Sequence, residues 1–246
     1  MSLFSAITGK KQSKGGQLLE RLGGAERLED RREAIAEFKD LTSRQPVRLV
    51  FEGGIGVLLN LLRGEDTDTH RDALETLVNL LDRDVPKEQP EAAQVAATHN
   101  CGVLLSHPEK IGVILGAAEN SDMYVRYHAT QLLMRLLSVA AARTQEAMLE
   151  QPATVAAVVK LLEDKREIVR NEVLLLLAQL SAHNASLQTI LAFQGAFDQL
   201  IKIIEGELQS GESGAAAVVN DCFAIVSSLL SSSAAARRLF REEGFL

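Results

Sequence analysis

A two-helix unit recurs along this chain with its apolar residues in one register, and that repeat restricts the fold more than any other feature. The first helix of each copy carries Ile55/Leu58/Leu59/Leu62, Ile111/Ile114/Leu115, Val155/Val158/Val159/Leu162 and Phe197/Leu200/Ile201/Ile204. The i, i+3, i+4, i+7 spacing gathers these side chains into one wide stripe of a helix. Fifteen residues after the first stripe residue, the first three copies reach His70, Arg126 and Arg170 in a second helix. That helix repeats Ala73/Leu77/Leu80, Ala129/Leu133/Leu136 and Val173/Leu177/Leu180. Cys222/Val226/Leu229 follows as a fourth copy once seven extra residues are allowed in its connecting turn. Second helices recur after 56, 44 and 49 residues, bracketing the armadillo and HEAT repeat length of about 40–47. Such repeats bury their stripes only by stacking on one another. The sequence therefore predicts an all-α, armadillo/HEAT-like, right-handed helical solenoid of about four to five repeats.

Composition supports a helical array and excludes several functions. Hydrophobic residues make up 46% of the 246 residues, yet aromatics are 4% and tryptophan is absent. A net charge of −7 argues against nucleic-acid binding, which needs clustered Lys and Arg to displace counterions. Only Cys101 and Cys222 occur, far apart within helical patterns, as expected for thiols acting as small apolar groups in a reducing compartment. No apolar run is expected to approach the ~18 residues of a membrane span.

Residues 1–16 are polar and rich in Gly and Lys, so they are expected to form a disordered tail before a repeat domain over 17–246. A short helix is expected over Leu18–Leu22, and another from Asp30, as N-cap, to Arg44. Asp82–Gln94, with two prolines and mixed charge, reads as a loop that lengthens the first repeat. A helix from Ala96 to Ser106 follows, and Glu207–Gly214 reads as a second surface loop. The segment Leu239–Leu246 resembles the approach to a further stripe helix, so the array is expected to continue beyond it.

Catalytic chemistry finds no foothold. His99-Asn100-Cys101 with His107 lacks the paired ligand spacing of a zinc site. Glu52-Gly53-Gly54-Ile55-Gly56 lacks the lysine of a phosphate loop and reads as a turn between packed helices. Ser227, Ser228 and Ser231–Ser233 have no nucleophile elbow or placed base. No cofactor, metal or catalytic residue is therefore assigned. The repeat register offers an interface instead. Superposed second helices align Arg71, Tyr127, Asn171 and Asn220, then Asp72, His128, Glu172 and Asp221, and seven residues on Asn79, Arg135, Gln179 and Ser228. On the concave side of an armadillo-like array these become polar ladders. Arg71, Tyr127, His128, Arg135, Asn171, Glu172, Gln179, Asn220 and Asp221 are the candidate protein-binding residues.

Several segments resemble a known family. Arg166-Glu167-Ile168-Val169-Arg170-Asn171-Glu172 with Val173–Leu177, then Ile190–Phe193, Ala196-Phe197, Val218–Cys222, and Phe240 with Glu243-Gly244, resemble the globular head of the general vesicular transport factor family. Asp30–Ala34 and Ala73–Leu77 fit the same head. The resemblance implies the N-terminal part of the armadillo-like head of a vesicle tether in ER-to-Golgi transport, cytoplasmic and peripheral on Golgi and vesicle membranes. It implies engagement of a Rab GTPase, SNARE proteins and golgins, and dimerisation through a coiled coil for which this chain shows no heptad run. The other reading of the repeats is a stand-alone armadillo adaptor, such as a chaperone co-factor or an import-like receptor.

Overall fold

In this computed structural model the described residues are 13–45, 47, 52–84, 89–210 and 214–245, with the side chains of 52, 53 and 152 left aside. They form thirteen α-helices and one 3-10 turn. The chain divides into two compact units, residues 1–103 and 104–246. The first holds α1 (Lys14–Gly24), α2 (Leu28–Arg44), α3 (Glu52–Leu61), α4 (Thr67–Asn79) and nearly all of α5 (Pro90–Leu104). The second holds α6 (Glu109–Ala117), α7 (Met123–Leu149), α8 (Pro152–Lys160) with the 3-10 turn Leu161–Glu163, and α9 (Glu167–Ser181). It continues with α10 (Ala185–Phe193), α11 (Ala196–Ser210), α12 (Ala215–Ser232) and α13 (Ala234–Glu242).

Helix starts follow from side-chain caps. Ser13, Asp66, Asp122, Asn184 and Ser233 each accept a hydrogen bond from a backbone N–H in the first turn of α1, α4, α7, α10 and α13. Gly195, at φ 85°, supplies the left-handed residue that ends α10 and lets α11 start at once. The apolar stripes are the core. Ile55, Leu58, Ile111, Ile114, Val155, Val158, Phe197 and Leu200 are fully buried, as are Ala73, Leu77, Leu133, Leu136, Val173, Leu177 and Leu229.

The repeat contains three helices rather than the two the pattern predicts. In the second unit a short helix precedes the stripe helices α8 and α11: the last part of α7, then α10. The first escapes sequence reading because no turn residue separates it from the helix before it. Ala140 alone, at φ −148° and ψ 65°, breaks α7 into the third helix of one repeat and the first of the next. In the second unit the third helices form one layer, in which α9 packs between α7 and α12. On the other side α6 packs on α8, α8 on α10, and α10 on α13.

Two devices register neighbouring repeats. One is a set of amides from the short helices. Buried Asn100 of α5 donates Nδ2 to the carbonyls of Val47 and Leu80, at 2.8 and 3.0 Å. Gln145 of α7 donates to Leu180 and Ala182. Fully buried Gln188 of α10 donates to the Ser181 carbonyl at 3.0 Å and accepts from the Ser232 N–H at 3.3 Å. These amides satisfy the carbonyls that the third helices leave open at their C-termini. The other device is an ion pair present within each unit. Arg32 pairs with Asp66, Arg126 with Asp164, and Arg170 with Glu207. His70, at the position of Arg126, meets the Gly64 carbonyl at 3.0 Å, while Arg126 donates to the carbonyls of Asn120 and Ser121.

Several boundaries differ from the sequence reading. Residues 14–16 lie in the first turn of α1 rather than in a tail, because Ser13 caps it; residues 1–12 lie outside the described residues. Helix α2 starts at Leu28, so Asp30 sits in its first turn and is not the cap. Gly53 and Gly54 are inside α3 rather than in a turn. Helix α5 begins at Pro90, a residue suited to a first helical position, so only part of Asp82–Gln94 is loop, and residues 85–88 are not described. Helix α11 continues to Ser210 and shortens the second expected loop. Helix α12 overturns the expectation about apolar runs, since its 18 residues reach a mean hydropathy of 1.5. It packs against α9, α10, α11 and α13 and buries Cys222, Ile225, Val226 and Leu229.

Candidate protein interface

Eight of the nine ladder residues lie in the second unit, on its layer of third helices. Tyr127, His128 and Arg135 are on α7, Asn171, Glu172 and Gln179 on α9, and Asn220 and Asp221 on α12. The ninth, Arg71, belongs to α4 of the first unit, half-buried with its guanidinium 3.5 Å from Asp68. Because α9 packs between α7 and α12, the structure brings the eight onto three adjacent helices. Asn171, Gln179, Asn220 and Asp221 are exposed, and Tyr127, His128, Arg135 and Glu172 are half-buried.

The α7–α9 part of this layer has the most developed chemistry. The Tyr127 hydroxyl accepts a hydrogen bond from Gln131 Nε2 at 2.8 Å, and its ring meets His128 edge-on at 5.4 Å. Burial raises the Tyr127 phenol, and the nearby Glu172 charge adds to the effect. Burial likewise raises the Glu172 carboxyl, opposed by the Arg135 charge. Asp72, Asp164 and Glu207, also half-buried, each contact a cation.

The structure adds residues that the sequence reading left out. Ile168 and Leu175 of α9 are 53% and 46% exposed, and Tyr124 of α7 is 51% exposed. All three lie on the same third-helix layer. A signal existed for Leu175: the unbroken run Val173–Leu177 covers more than one helical turn, so one of its members must face away from the core. The layer is therefore an apolar and polar mosaic rather than a ladder of polar residues.

Elsewhere Arg170, Glu207 and Glu163 are already engaged. A surface depression of about 450 Å³ between the 3-10 turn, α9 and α11 is lined by Arg170, Glu207, Gln199 and Glu163 among others. Arg170 is bound to Glu207 there and Gln199 to Glu163. Cys101 and Cys222 are buried, and burial, with Asp221 and Glu207 nearby, pushes the Cys222 thiol up to about 12. Among the described residues, no three His, Cys, Asp or Glu side chains group as metal ligands.

Comparison with known proteins places this architecture. The chain is 35% identical over 211 residues to Golgin candidate 6 of Arabidopsis thaliana, covering 84% of this chain and 22% of that protein. It is 29% identical over 240 residues to General vesicular transport factor p115 of Homo sapiens, covering 94% of this chain and 24% of that one. The chain thus spans about a quarter of the length of these relatives. A crystal structure of Uso1 superposes with a TM-score of 0.78 over 99% of this chain and 39% of that one, at 22% identity, which shows a shared helical-solenoid fold. No protein-family model matches the chain.

Proposed function

This chain belongs to the general vesicular transport factor family, and we propose that it serves as a non-enzymatic protein-binding scaffold within a vesicle-tethering factor of ER-to-Golgi and intra-Golgi transport. Its partners are a Rab-type GTPase and the SNARE and golgin machinery. It acts in the cytoplasm, on the surface of Golgi and vesicle membranes, through those partners. One observation carries the reading: α7, α9 and α12 present in-register polar side chains interleaved with exposed Tyr124, Ile168 and Leu175 on one layer. Exposed apolar groups among hydrogen-bonding side chains are the makings of an interface core.

The test is a binding titration of the chain with Rab GTPases loaded with GDP or a non-hydrolysable GTP analogue. Tyr127→Ala combined with Asn171→Ala is expected to weaken binding about tenfold or more, with an unchanged helical circular dichroism spectrum. Unaltered affinity for a GTPase that does bind would remove this layer from the interface.

A further inference from the structure

We propose that the α7–α9 face recognises an amphipathic helix whose apolar stripe carries a Lys or Arg, with Glu172 as the anionic contact and Tyr127 as the wall beside it. This rests on the reading of the layer as a protein interface and gives the partner segment its chemistry. Ile168, Glu172 and Leu175 follow one another at i, i+4 and i+7, so they form a single row along α9. The row reads apolar, acidic, apolar, with both apolar members about half exposed. Its central carboxylate is half-buried, Arg135 offsets that burial only in part, and α7, which carries Tyr127, packs against α9. Arg126 and Arg170, the cations of α7 and α9 nearest the start of the row, are already committed to Asp164 and Glu207, and exposed Asp221 on the adjacent α12 adds negative charge. A basic side chain entering here gains an ion pair with Glu172 and an aromatic neighbour.

The spacing selects a helix over an extended chain. Ile168 and Leu175 are seven residues apart, which is about 10.5 Å along a helix. A partner helix matches that distance with its own i and i+7 side chains, leaving i+4 for the cation. An extended strand covers it in about three residues, and residues three apart point to opposite faces of a strand. Such a strand cannot cover both apolar residues while aiming a cation between them.

The probe is an alanine-based helical peptide of about 18 residues with Leu at i and i+7 and Lys at i+4, labelled at one end, against a control carrying Glu at i+4. Fluorescence anisotropy is read against the full chain. The Lys peptide is expected to bind about tenfold more tightly than the Glu peptide. Glu172→Gln is expected to remove most of that difference, and Ile168→Ala with Leu175→Ala to weaken both peptides. Glu172→Gln is also expected to hold or raise the thermal midpoint, because it removes a half-buried charge whose burial Arg135 offsets only in part; a carboxylate kept for structure would lose stability instead. Equal binding of the two peptides, or an unchanged preference in Glu172→Gln, overturns the proposal. Should the Tyr127/Asn171 variant lose its GTPase while the Lys preference is absent, this inference fails and the interface reading stands. A clear Lys preference with no GTPase binding fails the GTPase assignment and leaves this one intact.

Discussion

Asp164 and Glu172, eight positions apart, are carboxylates that their surroundings push in opposite directions. Burial alone would raise Asp164, but the hydrogen bonds from Arg126 and from the Arg166 N–H outweigh it and hold the group below the usual carboxylate range. A depressed folded-state value stabilises the fold above the ordinary Asp value, and that stability is lost as pH falls toward the folded-state value. Asp164→Asn should therefore flatten the loss of unfolding free energy below about pH 4, measured by urea titration across the acid range. Arg126→Ala leaves the Asp164 side chain, only 4% exposed, without its cation. A cost of about 3 kcal/mol in the same assay at neutral pH is expected. The repeat register picked out Arg126 and Arg170 as equivalent positions, yet not their partners. Asp164 and Glu207 lie 37–38 residues away along the chain, in segments that carry no periodic apolar signal to align.

At the scale of helices, apolar periodicity was a sound guide to what is buried and a poor one to where elements end. Every stripe helix and third helix formed where the i, i+3, i+4, i+7 pattern predicted it. The short helix α10 was missed because its inward side chains include an amide, Gln188, which a hydrophobic pattern scores as surface. Leu175 was hidden for the converse reason, an apolar side chain facing out of an apolar run. The amides are testable. Gln188→Leu keeps the volume of the site but strands the Ser181 carbonyl and the Ser232 N–H. It is expected to cost about 2 kcal/mol, seen as a lower denaturant midpoint with an unchanged slope.

For the molecule as a whole, the repeat and the family resemblance were legible in the sequence, and the comparisons bear out both. The candidate interface was legible in part: the register set eight of its residues on three adjacent helices, but not the apolar groups between them. The net charge of −7 favours approach of a basic partner. Raising salt from about 0.05 to about 0.5 M should slow association of the Lys peptide several-fold and change its dissociation much less, as stopped-flow anisotropy would show. The passage through α7, kinked at Ala140 but without a connecting loop, decides where the chain can be parted. Arg143 is exposed, yet it sits inside that helix, where one repeat passes into the next with no linker. Lys165 and Arg166, also exposed, occupy the bend before α9. A brief trypsin digest should therefore nick the second unit at the bend and spare Arg143, releasing pieces whose ends fall within repeats as the sequence counts them.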